Sequence, residues 1–146
     1  MSLISRFCEL YKELANLQLD QLDSIYHSEV VFEDPVARHT GIEQVKGYFA
    51  NLLANTTTCT FTIHNVADCK DNNAEIDHLI TWTMTLKTGA LNKGRAINMQ
   101  GTTLLKVHDN KIIYHRDYYD VGQMVYENIP ILGSIIKKIK HRMAKQ

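Results

Sequence analysis

The sequence lacks most of the patterns by which chemistry is read at a glance. Its three cysteines, Cys8, Cys59 and Cys69, are an odd number with no Cys-x-x-Cys spacing, which argues against a disulfide framework or a zinc ribbon and suggests a reducing, cytoplasmic setting. The seven histidines, at 27, 39, 64, 78, 108, 115 and 141, show no ligand spacing, so no metal site is expected. There is no glycine-rich phosphate loop, no nucleophile elbow and no Cys–His signature. Chemistry without a cofactor, or plain binding, is what remains.

Long apolar runs are also missing. The opening "MSLISRFCELYKEL" carries charge every few residues, unlike a signal peptide, and no later window approaches a membrane span. Charge of one sign is not in excess, with sixteen basic against sixteen acidic residues. No overall field therefore recruits nucleic acid. The balance hides an asymmetry: through Ile80 there are twelve acidic and five basic residues, and from Thr81 onward four acidic and eleven basic.

What is present fits one domain. A chain of 146 residues with 45% hydrophobic content can build one sizeable core. Leu3, Phe7, Leu10, Leu14 and Leu17 recur at spacings of four and three, predicting an amphipathic first helix. "DQLD" offers Asp20 as the N-cap of a second, short helix carrying Leu22, Ile25 and Tyr26. "EVVFEDP" reads as a short strand closed by Pro35, which places Asp34 at a strand end. "TGIE" has the form of a capping box between Thr40 and Glu43, opening a third helix with Ile42, Val45, Phe49 and Leu52 that runs to about Asn55.

The period then changes from helical to alternating. Cys59, Phe61 and Ile63 share one face, as do Ile80, Trp82, Met84 and Leu86 of the next segment, and Ile97, Met99, Leu105 and Val107 of the one after. Turns are marked by "KDNN", "TGALNKG" and "HDNK". The order of elements predicts an α+β fold, with a curved antiparallel sheet, joined by hairpins, forming a cone-like half-barrel wrapped by three N-terminal helices. Such a cone encloses a pocket walled by alternate strand residues. Residues 1–128 form this single domain. Residues 129–146 form an additional C-terminal helix with Leu132, Ile135, Ile136, Ile139 and Met143 at helical spacing and lysines and Arg142 between them. It is expected to pack on the domain or on a partner, with membrane-surface contact as the other reading.

The polar run "YHRDYYD" follows the last turn. Strand alternation places Ile113, His115, Asp117 and Tyr119 on one face and Tyr114, Arg116, Tyr118 and Asp120 on the other. Asp117 is then either a general acid/base group facing the pocket or a residue that orients its polar neighbours. Asp34 is either a second such carboxylate or a turn residue accepting local backbone N–H bonds. Asp77, at the start of an apolar-and-threonine strand, is a pocket group or a strand-end charge.

The element order, with "SEVVFEDPV…TGIEQVKGYF" and "DNKIIYHRDYYD", resembles the SnoaL-like branch of the nuclear-transport-factor-two-like superfamily over roughly residues 7–126. The resemblance implies a bent sheet around a deep apolar pocket, usually in a homodimer, in a superfamily that spans ketosteroid isomerases, polyketide cyclases, limonene-type epoxide hydrolases, dehydratases and non-catalytic binding modules. "VFEDPV" is similar to the isomerase segment that carries the proton-shuttling aspartate, here Asp34. The isomerase's oxyanion donors correspond to Phe7 and Thr103, which disfavours steroid isomerisation. "HRDYYD" is similar to the last strand of the epoxide hydrolases, with Asp117 at the position of a triad aspartate. The arginine of that triad is missing from "EID" at residues 75–77.

The expectation is thus an acid/base enzyme of the isomerase, cyclase or dehydratase kind acting on a hydrophobic small molecule, or a non-catalytic ligand-binding module of the same fold. Asp117, Asp34, His115 and Tyr119 would be its catalytic residues. Asp77, Phe32, Tyr48 and Met99 would contact the ligand, as would Trp82 unless its strand turns it to the outer face.

Overall fold

The computed structural model describes residues 1–70 and 73–145. Six strands form one open, curved sheet in the order β2-β1-β6-β5-β4-β3, not a closed barrel. The strands are β1 (Tyr26–Glu33), β2 (Arg38–Thr40), β3 (Thr56–Asp68), β4 (His78–Thr88), β5 (Ile97–His108) and β6 (Lys111–Tyr119). β3 to β6 pair antiparallel through consecutive connections, as the alternating segments predict, but β1 runs parallel to β6. The sheet is therefore mixed, and β1 reaches its place through helical segments rather than through a hairpin. The turn expected at residues 70–73 lies partly outside the described residues.

Helices α1 (Leu3–Lys12) and α2 (Ile42–Ala54) cover the inner face. Val45 and Phe49, one turn apart on α2, are buried in the same core as Phe7 and Tyr11 of α1; burying side chains of this size stabilises by about 1.5–3 kcal/mol each. The predicted first helix is shortened at Lys12, because Glu13 leaves helical geometry to bridge Thr60 of β3. Leu14 and Leu17 are still buried, carried there by a 3₁₀ turn and the extended residue after it. The second helix is a 3₁₀ segment, Leu19–Ser24, preceded by Gln18, whose N–H is held by the Gln21 side chain. Asp20 lies inside it, and Tyr26 begins β1 instead of ending the helix.

The expected Thr40–Glu43 capping box does not form. Thr40 pairs with Val31 as part of β2, and its N–H donates to Gln44 Oε1 at 2.9 Å. Pairing on β6 slips by one residue where Lys106 opposes Tyr114 but Val107 opposes Ile112. Ile113 is the extra residue of this bulge, so Ile112, not Ile113, shares the buried face of His115.

Trp82 of β4 lies directly opposite Gly101 of β5. A Cβ built on Gly101 would stand 2.1 Å from Cη2 of the indole, so only glycine leaves room for the ring. The last strand leads through the single turn α3 (Val121–Met124) and a 3₁₀ turn at Tyr126–Asn128 into α4 (Leu132–Ala144). Helix α4 packs mainly on that 3₁₀ turn. Its apolar stripe, expected to pack on the domain or on a partner, is not covered by the domain in the single chain: Ile135 is 51% exposed and Met143 70%.

Candidate functional site

A cavity of ≈ 110 Å³ opens between α1, α2 and the concave face of the sheet. Its apolar wall comes from Phe32, Phe49, Phe61, Trp82 and Met84, and its polar groups are Asp34, Tyr48, Asp117, Tyr119 and Tyr11. Val36, which lines it and is 61% exposed, marks the open end. The alternation that buries Phe61, Trp82 and Met84 on β3 and β4 delivers them to this wall. Trp82 therefore lines the cavity and does not face outward.

At the inner end, Asp117 is fixed by a directed chain of hydrogen bonds. The Trp82 indole can only donate, and its Nε1–H is given to Thr103 Oγ1 at 2.8 Å. The Thr103 hydroxyl proton is then free to go to Asp117 Oδ1, at 2.5 Å. His115 Nε2 lies 2.8 Å from the same oxygen. With the carboxylate ionised, Nε2 carries the proton and Nδ1 of a neutral imidazole accepts from the Tyr26 hydroxyl at 2.8 Å, which accepts in turn from Tyr11 at 2.8 Å. His115 is fully buried, with the rings of Phe7, Tyr11, Tyr26 and Phe32 around it. Among the described residues no hydrogen bond reaches Oδ2 of Asp117, which is a lining residue of the cavity.

Asp34 sits beyond the end of β1. Its Oδ1 accepts from the N–H groups of Val36 (2.8 Å) and Ala37 (2.9 Å), the local turn anticipated for an Asp before proline. Its Oδ2 accepts from the Tyr48 hydroxyl, a side chain of α2 that also lines the cavity. One oxygen of Asp34 thus holds the turn, and the other meets the cavity wall.

Burial, and then the hydrogen bond to Asp34, drive the Tyr48 phenol far above its ordinary range. Tyr119 is raised by burial and then by the Asp34 charge. Tyr11 and Tyr26 are raised well above theirs, chiefly by burial. All four remain neutral O–H donors near neutral pH. Cys59, also on the cavity wall, is pushed up to about 12 by burial and stays an unreactive thiol.

Of the residues expected at the site, Asp117, Asp34, Tyr119, Phe32, Tyr48 and Trp82 meet at this cavity. His115 stands behind Asp117 and acts on the cavity through it. Two expectations are corrected. Asp77 lies away from the cavity, where Oδ2 accepts from the Val107 N–H at 2.6 Å and its own N–H donates to the Leu105 carbonyl, so it fastens the start of β4 to β5. Met99 is 1% exposed and packs into the core without reaching the cavity. Thr103, which bonds Asp117 directly, and Tyr26 and Tyr11, which reach it only through His115, are members of this chain that sequence spacing does not single out. The alternation that buries Leu105 also turns Thr103 inward, but the helical spacing of Tyr26 with Leu22 conceals its place on a strand. Among the described residues no group of three or more His, Cys, Asp or Glu side chains is placed to hold a metal ion, and no helix is long and apolar enough to cross a membrane.

Residues 6–115 match the model of the SnoaL-like domain. The chain belongs to this family. Its SnoaL-like architecture recurs in solved structures of the nuclear-transport-factor-two-like superfamily at identities that report the fold alone. A ketosteroid-isomerase-like protein from Catenulispora acidiphila, solved in complex with trimethylamine, superposes with TM-score 0.69 at 17% identity, covering 86% of this chain and 90% of its own. An LEH-like epoxide hydrolase from M. tuberculosis gives 0.64 at 20% identity, over 84% and 79%. A SnoaL-like protein assigned as a polyketide cyclase from Jannaschia sp. gives 0.64 at 15% identity, over 82% and 85%. Among curated proteins, none matches the chain. The fold family thus includes polyketide cyclases and epoxide hydrolases, and small molecules bind to its members.

Proposed function

We propose that this SnoaL-like protein is an acid/base enzyme that moves a proton on a small, largely apolar molecule, with Asp117 as the base and Asp34, Tyr48 and Tyr119 as the polar group across the cavity. The observation that carries the proposal is the asymmetric tethering of Asp117. Two donors hold Oδ1, while Oδ2 is left toward an aromatic-walled cavity shared with a second carboxylate. Pre-organisation of this kind aims a base without reorganisation at the moment of transfer.

In the proposed step, a C–H bond beside a carbonyl breaks and its proton passes to Asp117 Oδ2. The electron pair moves onto the carbonyl oxygen, which takes a hydrogen bond from the neutral Tyr119 phenol. In a β,γ-unsaturated ketone, return of the proton from Asp117 to the γ-carbon gives the conjugated isomer; in a β-hydroxy ketone, the enolate re-forms the carbonyl and expels the β-hydroxyl, which takes the proton from Asp117 and leaves as water. His115, held by Tyr26, steadies the imidazole–carboxylate pair while Asp117 gains and loses its proton. Among the described residues no lysine or arginine lines the cavity, so the two carboxylates disfavour an anionic ligand. The volume suits a compound of about one six-membered ring, since apolar cavities of roughly 150 Å³ accept benzene. The trimethylamine complex of a structural neighbour supports a ligand of that scale in this fold.

The test is exchange of the α-protons of cyclohexanone in D₂O, followed by NMR. The native protein should accelerate exchange over buffer, and Asp117→Asn should remove about 10²–10⁴-fold of that acceleration. Equal rates for the two proteins would end the proposal. Binding of the ketone, read from the single tryptophan in the cavity wall, without exchange would favour the rival reading of a non-catalytic ligand-binding module. A reducing cytoplasmic location belongs to the same proposal, supported by three free cysteines, Cys8, Cys59 and Cys69. So does the homodimer implied by the family resemblance, which light scattering measures.

A further inference from the structure

We infer that the exposed face of helix α4 is a docking surface for an anionic lipid bilayer. Along α4 and the residues before it, an aliphatic stripe lies in the open: Ile131 is 78% exposed, Leu132 39%, Ile135 51%, Ile139 52% and Met143 70%. A single chain leaves such a continuous patch to solvent only where something covers it. The helix contributes Lys137, Lys138, Lys140, Arg142 and Lys145, and residues 129–146 contain no Asp or Glu. Helical spacing puts Lys140 on one flank of the stripe and Lys138 and Arg142 on the other. This is the arrangement of a helix lying flat at a lipid interface, with aliphatic side chains in the acyl boundary and the cations of the Lys138–Arg142 flank reaching the headgroups, while Lys140 on the other flank is held by the body.

Charge selects the occupant. The stripe is bordered by cations and residues 129–146 carry no carboxylate, which suits a surface of phosphate groups better than a neutral apolar partner. Lys137 lies on the other side of the helix, in a groove with Lys93 and Arg95 of the β4–β5 turn and with Glu127.

The helix is held to the body in a defined way. Gly133 approaches the Glu127 carbonyl so closely that a Cβ would lie 2.2 Å from that oxygen. Lys140 bonds Asp120 at 3.2 Å and Glu127 at 3.1 Å. Lys138 and Arg142 form no ion pair with the described residues and are free for headgroups. The support turn also reaches the cavity, because Asn128 Nδ2 donates to the carbonyl of Met124, a lining residue.

Flotation of the full chain decides the matter, using vesicles of phosphatidylcholine alone and of phosphatidylcholine with phosphatidylglycerol in equal parts. The chain should float with the anionic vesicles, be released by high salt, and ignore the neutral ones. Lys138→Glu and Arg142→Glu should each weaken binding by at least about fivefold, since each cation near such a surface contributes on the order of that factor. Ile139→Glu should abolish flotation and Ile139→Leu preserve it, while circular dichroism melts show that both variants remain folded. Absence of binding to anionic vesicles, or equal binding to neutral ones, would overturn the inference. So would light scattering that shows an assembly which Ile139→Glu splits while no vesicle binds, because the stripe would then be an interface between copies of this chain.

Discussion

Trp82 lies flat over Gly101 on the neighbouring strand, and the same indole donates through Thr103 to the carboxylate that the proposed chemistry requires. A missing side chain on β5 therefore governs the aim of Asp117 on β6. Gly101→Ala puts a methyl group into the ring, and the indole must leave its place. Overpacking of this kind costs about 1–3 kcal/mol, and a lowered urea midpoint with altered emission of the single tryptophan is the expected outcome.

Thr103→Val keeps the shape of the inner wall but removes a hydroxyl with two partners. The Trp82 N–H is left without its acceptor and Asp117 loses one of two donors to Oδ1. Stability should fall by about 1–3 kcal/mol, the cost of an orphaned buried group. Thr103→Ser, which restores the hydroxyl, should recover most of it in the same denaturation measurement.

His115→Leu removes the link between Asp117 and the buried tyrosine pair. Both Asp117 Oδ1 and the Tyr26 hydroxyl lose a partner, and the expected loss is several kcal/mol because breaking a buried network strands its members. Tyr26→Phe removes only the outer link and should cost less. Equal losses for the two variants would show that the imidazole is not the junction of the chain.

The buried tyrosines set the alkaline limit. Tyr11, Tyr26, Tyr48 and Tyr119 all titrate above their ordinary value in the folded chain, mainly through burial. Above the unfolded value of about 10 the unfolded state therefore releases protons that the folded state retains, and stability falls as pH rises. Cys59, raised from 9.0 to about 12, begins the decline from about pH 9. Ultraviolet titration of phenolate should show the four buried phenols ionising in one step with loss of circular dichroism.

Asp120 caps α3 through the Gln123 N–H at 3.1 Å and also holds Lys140. Asp120→Ala should lose about 0.5–2 kcal/mol for the cap and speed amide exchange in α4. Asp120→Asn keeps a capping oxygen, so it should lose the protection of α4 without most of the stability cost.

The alternation of Cys59 and Phe61, and of Ile80, Trp82, Met84 and Leu86, is enough to assign the right side chains to the concave face. A two-residue period needs only the identity of neighbours. The same rule fails at Ile113, because a bulge is a property of the pairing with β5 and not of β6 alone. It also fails for Tyr26, whose helical spacing with Leu22 is outweighed by pairing with Ile112. Asp77 and Asp117 look alike in sequence, each a carboxylate within a strand of mixed polarity. The fold separates them, giving one to a backbone N–H of β5 and the other to a cavity.

The sequence by itself determined the α+β order, the inward faces of the long strands, the amphipathic character of α4 and the two carboxylates worth watching, since each of these is written in local spacing. Tertiary structure alone decided that β1 runs parallel to β6, that Asp117 is tied to Thr103 and His115, and that the stripe of α4 is left uncovered. These depend on contacts between residues far apart in the chain, whose register is set by the packing of the whole sheet rather than by any segment of it.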